Sequence, residues 1–328
     1  MSISTIRSTS PFKEVVVWAI DPFQLETRPD PSLIKKLLDL LRLSNIELQP
    51  VYILTWAKNS TKSVFERERL ADDVAEIEQI TDRYLLDLGV DVGRPVKVIF
   101  AASSSIEDEV DALLKFAEQQ NSPFIAVSSH DRSGLRKFVL GSFAESLLLR
   151  SQYPILLLTH LHCALEQSKH FNRALFATDF SDSSYQAFLR FLIQAQRFHF
   201  EICLFFPEPQ SKARLKKASE IGARWVAQSQ SLGVDVRLVI KGDGVGHNAG
   251  KRILSATEEE EATLIVMALQ DGPVSSFLTG RVAHTVFRSN RYPVWIYGPR
   301  ALNDFYHAGE SLAGKDSREA SSTLSPPV

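Results

Sequence analysis

Residues 141–154 read GSFAESLLLRSQYP, and the same pattern returns without a gap at residues 280–293 as GRVAHTVFRSNRYP. Gly, Ala, Tyr and Pro coincide in the two copies, and an apolar run follows each one. An apolar run that ends in Asp21 or Asp179 also opens each half of the chain. A period of about 150 residues is far too long for a solenoid repeat, so the sequence predicts two complete domains of one fold.

The composition is typical of a globular protein, with 44% hydrophobic and 23% charged residues in a chain of 328. The formal net charge of −2 gives no field that would attract nucleic acid or an anionic membrane. No apolar stretch reaches the roughly 18–20 residues of a membrane helix. Residues 1–11 lack the apolar core of a signal peptide, and two cysteines cannot build a disulfide scaffold. We therefore expect a cytoplasmic protein without nucleic-acid or membrane partners.

Short apolar runs alternate with amphipathic segments of helical length in both halves, which indicates parallel sheets with right-handed crossovers. The runs predict strands at 15–20, 46–55, 96–101, 124–127 and 154–158, then at 173–178, 200–206, 234–240, 263–268 and 293–297. The predicted boundaries are a flexible N-terminus at 1–12, domain 1 at 13–160, a linker at 161–170, domain 2 at 171–298 and a disordered tail at 299–328.

The loop at 128–142, SSHDRSGLRKFVLGS, follows the fourth predicted strand of domain 1. Its RSGL and LGS segments, the order of the elements and the Asp that ends the first strand together resemble the universal stress protein family. In domain 2 the segments ATDFS at 177–181 and LIVM at 264–267 are similar to the same family. The resemblance covers nearly everything outside the predicted tail.

The resemblance implies an α/β fold with two doubly wound domains, each a five-stranded parallel sheet of order 3-2-1-4-5 flanked by helices. In single-domain relatives the last strands pair across a dimer axis. Here residues 154–158 and 293–297 are expected to pair antiparallel within one chain, since a bare apolar edge strand invites aggregation. The two domains are therefore expected to form an intramolecular pseudo-dimer and to stabilise each other.

Nucleotide-binding members of the family carry Gly, two residues, a second Gly, nine residues, and then Gly followed by Ser or Thr. Backbone N–H groups and a helix N-terminus cradle the phosphates there. Aligned on Gly141 and Ser142, this chain has Ser128 and Asp131 at the first two glycine positions. A carboxylate about 4 Å from a phosphate charge is repelled by roughly 4 kcal/mol at a surface-like dielectric, so Asp131 weakens the site unless neighbouring basic side chains compensate.

Domain 2 departs further from the motif. Ala268 and Asp271 replace the two glycines, the loop to Gly280 is one residue shorter, and Arg281 replaces the hydroxyl residue. Because both domains have the same acid in place of the second glycine, the sequence predicts a changed ligand or none. No cofactor is expected, and any ATP binding is expected to be of low affinity.

The candidate nucleotide contacts that the resemblance implies lie at strand ends and in these loops. In domain 1 they are Ala19, Ile20, Asp21, Val127, Ser128, Asp131, Arg132, Gly134, Gly141, Ser142 and Phe143, and in domain 2 they are Asp179, Met267, Ala268, Asp271, Gly280 and Arg281. Asp21 and Asp179 have two interpretations. Each contacts the nucleoside, or each caps the loop that follows its strand.

The sequence contains no Ser/His/Asp nucleophile elbow, paired-Cys metal site or pyrophosphate loop, so we expect no catalytic residue, no metal site and no enzyme. The linker cluster of His160, His162, Cys163 and His170 matches no standard metal spacing. The leading hypothesis is a tandem universal stress protein that acts as a regulatory or interaction module with an unidentified protein partner. A homodimer stays open. The rival is a nucleotide-dependent switch or slow ATPase, with domain 1 as the better site.

Replacing Asp131 with Gly is expected to raise the affinity of domain 1 for Mg-ATP, because it removes a negative charge and a Cβ from the phosphate loop. Isothermal calorimetry on the wild type and the variant measures the change. Asp271→Gly, in the more divergent loop of domain 2, is the matched control, and no gain is expected from it. An unchanged affinity in Asp131→Gly would refute the proposed repulsion.

Overall fold

The computed structural model of the chain describes residues 14–23, 29–55, 64–128, 142–159, 172–207, 212–240, 248–269 and 281–302. Side chains are described for all of these except residues 64–70 and 281. The predicted N-terminus at 1–12, the predicted linker at 161–170 and residues 303–328 of the predicted tail lie outside this part of the chain.

Domain 1 alternates strands with helices as the sequence predicts. Its elements are β1 (Val15–Ala19), α1 (Pro31–Leu43), β2 (Glu47–Thr55), α2 (Val64–Asp87), β3 (Lys97–Ala101), α3 (Ile106–Gln119), β4 (Ile125–Ser128), α4 (Ser142–Arg150) and β5 (Ile155–Leu158).

Domain 2 repeats the order. Its elements are β6 (Arg173–Ala177), α5 (Asp182–Phe198), β7 (Glu201–Phe206), α6 (Lys212–Ser231), β8 (Val236–Ile240), α7 (Ala249–Glu259), β9 (Leu264–Ala268), α8 (Arg281–Ser289) and β10 (Val294–Tyr297). Residues 299–302 add a helical turn, although the sequence placed them in the tail. The turn is ordered by burial, because Ala301 and Leu302 pack into the core of the α1 and α5 side.

Local signals explain where several helices begin. Asp30 Oδ1 accepts a hydrogen bond from Ser32 N at 2.8 Å, and Pro31 supplies the backbone angle of the first helical position. Ser105 and Ser181 cap α3 and α5, since each hydroxyl accepts a hydrogen bond from the N–H three residues further on. These caps set the helix starts at the same edge of the sheet as the carboxyl ends of the strands.

All ten described strands join one sheet in the order β3-β2-β1-β4-β5-β10-β9-β6-β7-β8. Within each domain the strands are parallel and follow the predicted order 3-2-1-4-5. β5 and β10 are antiparallel neighbours, with Ile155 opposite Ile296 and Leu157 opposite Val294. The predicted fold and the predicted pseudo-dimer within one chain are confirmed.

Helices cover both faces of the sheet, and each face holds a hydrophobic cluster that runs through both domains. Helices α1, α2, α5 and α6 pack on one face, which we call the α1/α5 layer. Helices α3, α4, α7 and α8 pack on the other face, which we call the α3/α7 layer. Because each cluster draws residues from both domains, the two domains share their cores.

Aromatic rings close the junction between the domains on the α1/α5 side. The ring centroid of Phe124 in domain 1 lies 4.5 Å from the ring centroid of Trp295 and 6.2 Å from that of Phe198, and both of these residues belong to domain 2. All three side chains are buried. Such pairs contribute about 0.5–1.5 kcal/mol each beyond their burial. An ion pair of 2.5 Å between Glu14 and Arg197 joins the same two domains.

Gly298, which follows β10 directly, packs against the backbone of α4 in the other domain. A Cβ at this position would overlap the carbonyl oxygen of Leu148. That oxygen belongs to a helix, so it cannot turn aside as a flexible side chain would. The junction therefore depends on a residue without a side chain.

Gly298→Ala is expected to lower the free energy of unfolding by about 1–3 kcal/mol, because the added methyl group overpacks the junction. Urea unfolding measures the change. Gly222→Ala is the matched control. Its Cβ meets only the side chain of Leu238, which can move, so its effect is expected to be smaller. Equal effects of the two substitutions would show that the contact of Gly298 with α4 is not tight.

Candidate functional site

The carboxyl ends of β1, β2 and β4 meet where the strand order of domain 1 reverses, which is where open α/β sheets bind ligands. A cavity of about 250 Å³ lies there. Its walls come from the three strands, the segment after β1, and helices α3 and α4. The lining residues are Ala19, Ile20, Asp21, Tyr52, Ile53, Leu54, Thr55, Glu109, Val127, Ser128, Ser142, Phe143 and Ala144.

The cavity brings together many of the candidate residues of domain 1. Those that line it are Ala19, Ile20, Asp21, Val127, Ser128, Ser142 and Phe143. The loop candidates Asp131, Arg132, Gly134 and Gly141 lie outside the described residues. The strand-end and helix-start candidates therefore share one site, and their role in binding stays a prediction.

Sequence patterns did not identify the β2 wall of the cavity, residues 52–55, or Glu109 on α3. The signal that could have found them was the strand order. With β2 paired beside β1 in parallel, the carboxyl end of β2 lies next to Asp21. The first turn of the helix after β3 starts at the same edge of the sheet, which places Glu109 there as well.

The described lining carries two carboxylates, Asp21 and Glu109, and contains no Lys, Arg or His. Burial raises the pKa of the Tyr52 phenol above its ordinary value, and the charges of Asp21 and Glu109 raise it further. Because both carboxylates act on the same phenol, their negative potential is concentrated in one part of the cavity.

Ser128, at the end of β4, offers a hydrogen-bonding group to the cavity. The residue is buried, and its Oγ has no hydrogen-bond partner in the part of the chain that the structure describes. A buried hydroxyl without a partner is unfavourable by about 1–3 kcal/mol.

Asp21 also shapes the segment after β1. Its Oδ1 accepts a hydrogen bond from Phe23 N at 3.1 Å, and the Phe23 ring meets the Tyr52 ring edge-on at 5.7 Å. Asp21 is thus both a lining residue and a loop cap. The two interpretations that the sequence left open are compatible in domain 1.

The equivalent aspartate in domain 2 is held by its own loop. Oδ1 of Asp179 accepts hydrogen bonds from Ser184 Oγ at 2.7 Å and from Ser181 N at 2.9 Å. Burial by itself would raise the pKa of Asp179, but the hydrogen bonds from Ser181 and Ser184 outweigh it and hold the pKa below its ordinary value. This is the geometry of a strand-end cap.

Aromatic rings pack beside Asp179 in domain 2. Phe180 adopts a left-handed backbone conformation, and its ring lies 5.3 Å from that of Phe206 and 5.1 Å from that of Trp225. Arg252 of α7 donates a hydrogen bond of 2.7 Å to the carbonyl oxygen of Pro207, just after β7. The strand ends of domain 2 that are equivalent to those lining the cavity of domain 1 are thus surrounded by different side chains.

The remaining candidates of domain 2 lie on the next strand and helix. Met267 is buried and Ala268 half-buried at the end of β9, and Arg281 begins α8. Asp271, Gly280 and the side chain of Arg281 lie outside the described residues. The structure therefore places Met267 and Ala268 at the expected edge of the sheet.

The chain matches the model of the universal stress protein family twice, at residues 14–159 and 170–298. It therefore belongs to the universal stress protein family, with two family domains in tandem. No curated protein sequence matches the chain.

Solved structures share the architecture. A universal stress protein from Archaeoglobus fulgidus aligns with a TM-score of 0.58 and 20% identity, over 88% of this chain and 97% of that one. A universal stress protein structure from Pseudomonas aeruginosa aligns with a TM-score of 0.52 and 16% identity, over 92% of this chain and 96% of that one. A universal stress protein from Archaeoglobus fulgidus in complex with dAMP aligns over only 39% of this chain and 98% of that one, with a TM-score of 0.31 and 17% identity.

Among the described helices, none is long and apolar enough to cross a membrane. The same part of the chain contains no group of three His, Cys, Asp or Glu side chains that could hold a metal ion. The linker cluster of His160, His162, Cys163 and His170 lies outside it.

Ser184→Ala is expected to lower the free energy of unfolding at pH 7 by about 1–3 kcal/mol, because it removes a hydrogen bond to a charged carboxylate. Since the pKa of Asp179 is depressed, its stabilisation is present above the ordinary aspartate pKa and is lost as the pH falls through the folded-state value. The difference between variant and wild type should therefore shrink at acidic pH. Urea unfolding across a pH series measures it.

Ser183→Ala, in the same helical turn, is the matched control, because its hydroxyl makes no such bond. A loss in Ser184→Ala that stays the same down to a pH below the folded-state pKa would show that the aspartate charge is not involved.

Proposed function

We propose that this tandem universal stress protein is a non-catalytic regulatory or interaction module of the cytoplasm, in which domain 1 holds the ligand cavity and domain 2 supports the fold. The nucleotide loops are degenerate, so ATP binds weakly. The protein partner is recognised by the folded pair rather than by either domain alone, because the two domains share their cores.

The acidic lining of the domain 1 cavity is the observation that carries this proposal. A nucleoside triphosphate in this cavity would bring its negative charges into the same space as the carboxylates of Asp21 and Glu109. Like charges about 4 Å apart repel by roughly 4 kcal/mol at an effective dielectric of about 20. A repulsion of that size lowers the affinity by close to three orders of magnitude, and it exceeds the contribution of about 0.3–1 kcal/mol from one helix N-terminus near Ser142.

The arrangement of domain 2 supports a division of labour. Asp179 is engaged by Ser181 and Ser184, and Phe180 packs with the rings beside it. These side chains stabilise one another, so a ligand there would have to replace contacts that already exist. Domain 2 therefore contributes mainly to the stability of the fold, through the sheet that it shares with domain 1.

The alternative is an ATP-dependent switch or slow ATPase with its better site in domain 1. Two observations favour it. The cavity has a nucleoside-sized volume of about 250 Å³ and a buried Ser128 hydroxyl without a described partner. Nucleotide retained after purification, detected by mass spectrometry of the denatured supernatant, would support this alternative.

Calorimetry with Mg-ATP is expected to give no low-micromolar isotherm, and Glu109→Gln is expected to strengthen ATP binding by about tenfold, because it removes one of the two lining charges. Glu118→Gln is the matched control, since it changes the same charge at an exposed position of the same helix. A low-micromolar isotherm in the wild type that Glu109→Gln leaves unchanged would contradict the proposal and favour the switch.

A further inference from the structure

Exposed apolar side chains are concentrated on the α1/α5 layer. Each of its four helices carries one, and they are Leu43 on α1 (85% exposed), Leu86 on α2 (77%), Ile193 on α5 (58%) and Leu215 on α6 (39%). Among the described residues, the helices of the α3/α7 layer carry no exposed large apolar side chain. The two other exposed large apolar side chains of the described residues, Phe23 after β1 and Phe100 on β3, do not lie on helices. Single exposed leucines are ordinary, but their restriction to the helices of one face indicates a surface that binds something.

The same layer carries opposite charges at its two ends. Helix α2 contains eight Asp or Glu and three Arg, whereas the equivalent helix α6 contains five Lys or Arg and one Glu. The charged side chains are exposed in the described parts of both helices. On α2 they are six acidic side chains and Arg83, and on α6 they are five basic side chains and Glu220. The two domains share one fold, but their equivalent helices α2 and α6 carry opposite net charges.

The sheet places these helices far apart. Helix α2 contacts β3 and helix α6 contacts β8, and β3 and β8 are the two end strands of the ten-stranded order. Helices α1 and α5 contact each other over the middle of the sheet. One face of the molecule therefore presents an acidic helix at one end and a basic helix at the other, with the exposed Leu43 and Ile193 between them.

We propose that the α1/α5 layer is the interface at which two copies of this chain form a two-fold dimer, with α2 of each chain against α6 of the other. Turning one copy by 180° about an axis parallel to the strands brings the two layers face to face and exchanges their ends. Each acidic helix then meets a basic helix, and the contact is made twice. Leu43 and Ile193 lie between these two contacts.

A second copy fits this surface better than a partner of one charge. A nucleic acid would be attracted by α6 and repelled by α2. A basic partner would be attracted by α2 and repelled by α6. Only a partner with the same acidic-to-basic order complements both ends, and a copy of the chain has that order. In the closed two-fold dimer, α2 and α6 of both chains each have a partner of opposite charge. In an open head-to-tail array of copies, one helix at each end of the array would have no partner.

Sedimentation of the full chain tests the proposal. At 20 mM NaCl the species is expected to have twice the chain mass of 36.8 kDa. The dissociation constant is expected to rise about tenfold or more at 500 mM NaCl, because salt screens the exposed charges. A monomer at every concentration and salt, or a dimer that is insensitive to salt, would overturn it.

Two charge-reversed variants make the test specific. The α6 variant carries Lys212→Glu, Lys216→Glu and Lys217→Glu, and the α2 variant carries Asp73→Lys, Glu76→Lys, Glu78→Lys and Asp82→Lys. Each variant is expected to be monomeric alone, since one end of its layer no longer complements the other. An equal mixture is expected to dimerise, because one chain is then acidic at both ends and the other basic at both ends. A mixture that stays monomeric would overturn the α2–α6 pairing.

The matched control for the α6 variant is Lys115→Glu, Lys251→Glu and Arg288→Glu. It makes the same charge change at exposed positions of the α3/α7 layer and is expected to dimerise as the wild type does. Loss of the dimer in this control would assign the effect to net charge and overturn the interface. Species larger than a dimer that depend on the same charges would replace the closed dimer with an open chain and would also overturn it.

Discussion

The antiparallel pairing of β5 with β10 is the constraint on which the rest of the structure depends. Each strand ends its own parallel sheet, and without a partner each would expose an apolar edge. Their pairing merges two five-stranded sheets into one and lets both hydrophobic clusters cross the junction. Phe124 and Trp295 then fill the space where the domains meet, and Gly298 leaves room for the backbone of α4.

Covalent linkage of the two domains permits differences that a symmetric homodimer could not have. In a homodimer every substitution appears in both subunits, whereas here each copy changes by itself. Domain 1 has a cavity with the carboxylates of Asp21 and Glu109 in its lining. In domain 2 the equivalent aspartate, Asp179, is bonded to its own loop. The same freedom allows α2 to be acidic and α6 to be basic on one continuous face.

The chemistry of the cavity follows from charge more than from shape. Its position at the switch point of the sheet suits a ligand of nucleoside size. Its described lining includes the carboxylates of Asp21 and Glu109, and the charges of both act on the phenol of Tyr52. The strand order therefore gives the location of the cavity, and its individual side chains give its charge.

The sequence by itself determined the repeat, the alternation of strands and helices, the strand order through family resemblance, and strand ends within two residues. These features are encoded locally, since hydrophobic period, helix caps such as Asp30, and the apolar runs at 155–158 and 294–297 can be read along the chain. Only the tertiary structure decided that Tyr52 and Glu109 line the cavity and that Ser181 and Ser184 engage Asp179. The physical reason is that such contacts depend on where strand pairing and helix packing bring separate segments together, which no local pattern contains.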